Sequence, residues 1–174
     1  MIILVSQETI KTFVTGLKEA GINLVVSLPC TAHKHFLPSI MSDPHFTHIP
    51  VVNEDDGMGI CAGAWMGGKK PAFLLEVAGL LLGTYALFKV TRYWGGAMLL
   101  VIDNRGDFGD GAGNWYAESA AEAQQILESF KIPYTTVRER DKLMPELVRG
   151  QRTAEGFGRP AAVLLSMEEL WELT

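Results

Sequence analysis

Val51-Val52-Asn53-Glu54-Asp55-Asp56-Gly57-Met58-Gly59-Ile60-Cys61-Ala62-Gly63-Ala64-Trp65 is the stretch on which the fold turns. Just upstream, His48-Ile49-Pro50-Val51-Val52 reads as a short buried strand. Downstream, the small residues Gly57, Gly59, Ala62, Gly63 and Ala64 suit a helix lying close to another backbone. Three consecutive acids stand between them, at the carboxyl end of the strand, where an open parallel sheet binds its ligands. The helix dipole alone favours an acid at a helix start. Glu54 therefore carries two readings at this point, a helix-opening acid or a functional carboxylate.

Outward from this stretch, strands and helices alternate. Ser6 is a plausible N-cap for a helix with Ile10, Phe13, Val14 and Leu17 on one face, stopped by Gly21. Leu24 to Leu28 reads as a central strand ended by Pro29, and the loop Pro29-Cys30-Thr31-Ala32-His33-Lys34-His35 leads to a helix through Phe36, Leu37 and Ile40. Strands are expected over Ala72–Glu76, Ala97–Ile102, Tyr134–Val137 and Ala161–Leu165, and helices over Ala120–Phe130 and Lys142 to about Ala154, with a short last helix capped by Ser166. Gly79 to Trp94 is apolar almost all round, so that helix should be buried or lie in an interface. Several strands are continuous apolar runs, the mark of a parallel sheet covered on both faces. The expectation is an α/β three-layer sandwich, flavodoxin-like, with a parallel sheet of about six strands in a single domain spanning residues 1–174.

Composition narrows the function classes. The apolar fraction of 48% is high for a globular chain and implies either a sheet buried on both faces or a surface that meets a partner. A net charge of −5 argues against non-specific nucleic-acid binding, which needs basic surface. Met1 to Val5 is too short an apolar run for a secretory signal, and no segment is apolar for long enough to cross a bilayer. Cys30 and Cys61 form no CxxC pair, which fits packing residues in a reducing cytoplasm.

The candidate motifs are mostly weak. Gly57-Met58-Gly59-Ile60-Cys61-Ala62-Gly63 matches a dinucleotide pattern, but three acids occupy the turn where a pyrophosphate would sit. Gly109-Asp110-Gly111 resembles the start of a magnesium-diphosphate motif, yet no Asn occurs after Asn114 to complete it, so it reads as a flexible loop. His33 with His35 and His45 with His48 lack further ligands at zinc-site spacing, so no metal ligand is assigned. His33 and His35 stand beyond a strand end, where they would either reach a substrate or be solvated. No serine-hydrolase elbow and no Walker motif is present.

Taken together, Val26-Ser27-Leu28-Pro29-Cys30, Ile49-Pro50-Val51, Asn53 to Ala64, Lys69-Lys70-Pro71-Ala72, Asn104-Arg105-Gly106 and Ile132-Pro133-Tyr134 resemble the pyrimidine-binding (PYR) domain of thiamine-diphosphate enzymes. Sulfopyruvate decarboxylase alpha subunits look nearest, with phosphonopyruvate decarboxylases close behind, and the resemblance covers nearly the whole chain. In such enzymes a Glu is followed nine residues later by a Gly, the spacing of Glu54 and Gly63. The resemblance implies that Glu54 hydrogen-bonds the cofactor aminopyrimidine and so promotes formation of the C2 ylid. A carboxylate sheltered from water suits that exchange of a proton, since desolvation disfavours a permanent charge. It also implies that Pro29 and Gly79 border the cofactor, and that Thr31, His33, His35 and Arg105 are candidates for substrate contact.

The resemblance further implies a decarboxylase (a carboxy-lyase) acting on a 2-oxo acid and releasing an aldehyde. No complete Gly-Asp-Gly…Asn motif for the diphosphate and Mg2+ occurs in these 174 residues, so the resemblance leads to the expectation of a separate beta subunit that carries it, in a cytoplasmic hetero-oligomer with the site between chains. Where the related subunits tend to show Gln-Asn-Ser-Gly-Leu-Gly-Asn, this chain has Glu76-Val77-Ala78-Gly79-Leu80-Leu81-Leu82, which points to a substrate less polar than sulfopyruvate. The alternatives are a thiamine-diphosphate carboligase subunit, a non-catalytic PYR-like partner module and an unrelated Rossmann-like dehydrogenase.

Overall fold

The structure is a computed structural model that describes residues 3–110, 114–166 and 172–173. Strands β2 (Leu24–Ser27), β3 (Thr47–Pro50), β4 (Pro71–Glu76), β5 (Leu99–Asp103), β6 (Tyr134–Val137) and β7 (Ala161–Leu165) form, among the described residues, a six-stranded parallel sheet of order β3-β2-β4-β5-β7-β6. Strands β1 (Ile3–Leu4) and β8 (Glu172–Leu173) pair antiparallel outside it. The α/β class and six parallel strands agree with the sequence expectation. The short helix expected after Ser166 falls outside the described residues.

Burial explains why the strands read as they do. The central strands β2, β5 and β7 are buried at every residue, and β4 at all but Glu76. The edge strands β3 and β6 keep partly exposed residues such as Thr47, His48, Thr135 and Thr136, because each has a neighbour on one side only. Alternate residues feed two cores. On one face, Val25, Leu74, Val101 and Val163 pack with Phe13 and Leu17 of α1 (Gln7–Glu19) and Leu143 and Leu147 of α7 (Arg140–Phe157). On the other, Val26, Phe73, Leu100 and Leu164 pack with Met58 and Cys61 of α3 (Glu54–Met66) and Ala123 and Leu127 of α6 (Asn114–Ser129).

Local chemistry sets the ends of the elements. Ser6 caps α1 by accepting from the Thr9 N–H at 3.1 Å, and Gly21 adopts the left-handed turn just beyond. Helix α3 is capped by Asn53, whose side-chain oxygen accepts from the Asp56 N–H at 2.8 Å while its amide donates to the Asp56 carboxylate at 2.7 Å. Asp55 and Asp56 are exposed, whereas Glu54 turns inward. The apolar segment after β4 is not one helix. It divides into α4 (Val77–Leu82), α5 (Thr84–Lys89) and a wide turn over Val90–Trp94. Gly83 stands at the break, and the Thr84 hydroxyl donates to the carbonyls of Leu80 (2.9 Å) and Leu81 (2.7 Å), a competition that bends helices.

The small residues of α3 divide by face. A Cβ on Gly57 would lie 2.3 Å from the Phe73 ring, so helix and sheet meet there at a spacing glycine alone permits. Gly59 and Gly63 face open space. After β2, a short 3₁₀ turn at His33–His35 leads to α2 (Leu37–Met41). His33 is fully buried and neither ring nitrogen has a hydrogen-bond partner, which sets aside the solvated-loop reading for this residue.

Two outcomes follow for stability. Gly57→Ala should lower it by about 1–3 kcal/mol in urea titrations despite alanine's better helix propensity, since the buried Phe73 has nowhere to move. A Gly57→Ala protein as stable as wild type would mean that α3 is free to shift off the sheet. Burial lowers the His33 pKa from 6.5 to about 3. The unfolded chain therefore takes up a proton below pH 6.5 that the folded chain refuses, and stability is lost as pH falls through that window. Between pH 7 and 5 this amounts to about 2 kcal/mol. His33→Leu should remove that part of the slope, and parallel pH profiles for the two proteins would refute it.

Candidate functional site

The sheet order places a topological switch between β2 and β4, since the chain leaves β2 toward β3 on one side and returns to β4 on the other. Ligand crevices in open parallel sheets lie beyond the carboxyl ends of strands at such a point. The loops after β2, β3, β4 and β5 all emerge there. Of the expected site residues, Pro29 and Thr31 are exposed in the loop after β2, and His35 is partly buried in the 3₁₀ turn.

Glu54 is the first residue of α3 and only 6% exposed. Its carboxylate lies against the start of α4. A Cβ on Gly79 would sit 2.5 Å from Glu54 Oε1, and one on Gly83 would sit 2.9 Å from Glu54 Cβ. The two glycines thus leave a cradle that any larger residue would fill. Among the described residues the Glu54 carboxylate has no hydrogen-bond partner, so its lone pairs remain available to a group from outside the chain. Glu54 and Gly79, both expected to border a cofactor, thus lie against one another, whereas Gly63, nine residues on from Glu54, faces open space.

A second group of polar residues lies beside it. Glu76 ends β4 and feels both Glu54 and Arg105, and the Tyr116 hydroxyl of α6 donates to it. Burial, above all, raises the Glu76 pKa, with Arg105 and Tyr116 opposing. Asp103 ends β5, is 1% exposed, and is held well above the ordinary carboxylate range by burial first and by Glu76 next. Asn104 follows, fully buried, with neither side-chain amide atom hydrogen-bonded. Burial likewise pushes the Cys30 thiol up to about 12, with Asp103 adding to it.

Arg105 is largely committed. Its Nε donates to Asp110 Oδ2 at 3.1 Å, both side chains are nearly buried, and its guanidinium lies 4.8 Å from the Tyr116 ring centroid. The same Asp110 oxygen accepts from the Gly106 N–H at 2.8 Å. Asp110 therefore fastens the loop after β5, where the sequence suggested flexibility; Gly111 to Gly113 fall outside the described residues. Among the described residues no three His, Cys, Asp or Glu side chains come together in a way that could hold a metal ion. Glu76 and Asp103 were not singled out from sequence, because only the strand register brings these two terminal acids side by side.

The segment after β4 also carries an exposed apolar face. Leu82, Tyr85, Tyr93 and Trp94 are each more than 60% exposed, and Lys89 Nζ lies 5.3 Å from the Tyr85 ring centroid and 4.7 Å from that of Tyr93. Cationic stems over aromatic rings and open apolar side chains are common at protein interfaces. Among the described residues no helix is long and apolar enough to cross a membrane.

In the solved structures, the chain matches 2-oxoglutarate:ferredoxin oxidoreductase from Magnetococcus marinus, with 2-oxoglutarate, coenzyme A and succinyl-CoA bound, at a TM-score of 0.66. The match covers 98% of this chain but 30% of that one, at 14% identity, so it speaks to the fold alone. No protein-family model matches. Curated relatives are closer in sequence. The chain is 28% identical over 153 residues to sulfopyruvate decarboxylase subunit alpha of Methanococcus maripaludis, covering 84% of this chain and 87% of that one. It is 32% identical over 129 residues to the same subunit of Methanothermobacter thermautotrophicus, covering 71% and 74%. Against sulfopyruvate decarboxylase of Methanosarcina acetivorans it is 31% identical over 156 residues, 90% of this chain and 39% of that longer protein. With identity and coverage of this order along most of its length, the chain belongs to the family of sulfopyruvate decarboxylase alpha subunits.

Proposed function

We propose that this chain is the pyrimidine-binding subunit of a split thiamine-diphosphate-dependent 2-oxo acid decarboxylase, its residues 1–174 forming one PYR domain with Glu54 as the activating carboxylate. The observation that carries the reading is the Glu54 carboxylate itself, sheltered from water, seated against Gly79 and Gly83, and without a hydrogen-bond partner among the described residues. That seat holds the carboxylate in place, as a group that must meet the polar edge of a flat heterocycle would need. When bound, the cofactor supplies the carbanion-stabilising chemistry of decarboxylation. Glu54 would hydrogen-bond N1′ of the aminopyrimidine and exchange a proton with it there. Gly79 and Pro29 would border the ring from the ends of β4 and β2.

Around that centre Thr31 and His35 would meet the substrate, with His33 behind them as a neutral wall. Arg105, tied to Asp110, would act through the loop it fastens more than as a free anion clamp. The diphosphate and Mg2+ would be held by a beta subunit. The word alpha in the relatives' names and the longer Methanosarcina protein both support a two-part enzyme. The exposed face of Leu82, Tyr85, Tyr93 and Trp94 would be covered by that partner, as obligate interfaces resemble a core cut in half. Of the apolar replacements, Ala78 and Leu81 favour a 2-oxo acid less polar than sulfopyruvate, while Val77 is sealed in the core and Leu82 belongs to the exposed face. The same replacements favour a second reading, a PYR-like module that stabilises a partner without catalysis.

Calorimetric titration with thiamine diphosphate and Mg2+ separates the two. Binding is expected in the pair formed with a chain bearing a complete Gly-Asp-Gly…Asn motif, and not by this chain alone; no binding in either sample leaves the non-catalytic module. In the active pair, Glu54→Gln should lower turnover by on the order of 10²–10⁴-fold. Undiminished turnover would remove Glu54 from the mechanism. Gly79→Ala, which pushes a methyl into the carboxylate, should cost about 10²-fold in turnover with the fold intact by circular dichroism. Product analysis with an added aldehyde acceptor distinguishes a decarboxylase from a carboligase.

A further inference from the structure

We propose that Glu76 and Asp103 form a carboxyl pair that holds one proton between them at the strand ends and delivers it to the product of decarboxylation, an inference that rests on the decarboxylase reading above. Glu76 closes β4, Asp103 closes β5, and the two are register partners. Both fall on the sheet face of Leu74 and Val101, by the alternation of a strand. Adjacent strands are about 4.8 Å apart, too close for two shielded carboxylates to be ionised together at little cost.

The surroundings favour one proton between them. Asp103 is buried and its Oδ1 has no hydrogen-bond partner, an expensive state for an anion and a tolerable one for a neutral acid. The groups that act on the pair are Arg105 and Asp110 from the loop after β5, Tyr116 from α6, Glu54 from α3 and Cys30 from the loop after β2. The cation in this set, Arg105, is already paired with Asp110, and Cys30 stays a neutral thiol. Burial first and Glu76 next raise the proton affinity of the nearly inaccessible Asp103 well above the ordinary range; burial raises that of the half-exposed Glu76 too, with Arg105 opposing in both and Tyr116 in Glu76. Asp103 is therefore the store and the half-buried Glu76 the outlet.

The balance is simple. A 2-oxo acid anion loses carbon dioxide, the electron pair of the broken carbon–carbon bond ends in a new carbon–hydrogen bond, and one proton is consumed for each aldehyde released. Glu76 supplies that proton and Asp103 replaces it, with water refilling the pair. No oxidant or reductant is required.

Two measurements test the pair. Infrared difference spectra of the chain at pH 7, wild type against Asp103→Asn, should show the carbonyl stretch of a protonated carboxyl in the wild type alone, shifted in D2O. Its absence from the wild type, or its persistence in both Asp103→Asn and Glu76→Gln, overturns the proposal. In the assembled enzyme, with pyruvate and sulfopyruvate as probes, Glu76→Gln should lower kcat by on the order of 10²–10⁴-fold, leave KM and cofactor affinity nearly unchanged, and alter the alkaline limb of the pH–rate profile. An unchanged kcat and profile in Glu76→Gln, beside a large loss in Glu54→Gln, sinks the pair and spares the cofactor-activating role. Full activity in both variants removes Glu54 and the pair alike from the mechanism, and absence of activity toward both probes in the assembled wild type sinks the decarboxylase reading itself.

Discussion

The contact between the Glu54 carboxylate and Gly79 is the constraint around which the strand ends are arranged. A buried carboxylate needs space, shelter and freedom from stray donors, and three local features combine to supply them. Asn53 takes over the capping of α3, which releases Glu54 from that duty. Gly57 lets α3 settle onto Phe73, which fixes the height of the helix above the sheet. Gly79 and Gly83 then keep the opposite wall free of side chains. Each is a case of backbone geometry deciding where a charge sits.

The same geometry gives the site its electrostatic character. Parallel strands carry whatever ends them to one rim, and here β4 and β5 end in acids, with Glu54 close by. A rim of this kind favours neutral or protonated carboxyls over a full set of negative charges, because Arg105 is already engaged. Among the described residues, the cation that acts on this rim, Arg105, is paired with Asp110 and so is not free for a second anionic group on a substrate. In the proposed enzyme, this agrees with a 2-oxo acid whose side chain is uncharged.

Much of the fold was legible because burial on both faces leaves continuous apolar runs such as Ala161–Leu165 and Leu99–Ile102. Glu54 stood out for a similar reason, as an acid set between a strand and a small-residue helix. The bend at Gly83 was not legible, since the apolar pattern of Gly79 to Trp94 continues through it and only the Thr84 hydroxyl bonds mark the break. His33 misled in the opposite sense. A histidine in a polar loop suggests solvent, but the 3₁₀ turn folds it wholly inside. Glu76 and Asp103 lie 27 residues apart in the chain, 76 to 103, and their adjacency exists only in the register of the sheet.

That register has an evolutionary corollary. Side chains along a strand alternate between two faces, so an insertion or deletion of one residue within Pro71–Glu76 would carry Glu76 to the opposite side of the sheet, together with the core residues between the change and the strand end. The loops on either side bear no such parity rule. Point substitutions at the strand ends and changes of length in the loops beyond them leave that parity untouched. A family built this way can alter what it accepts while the frame that presents its carboxylates stays in step.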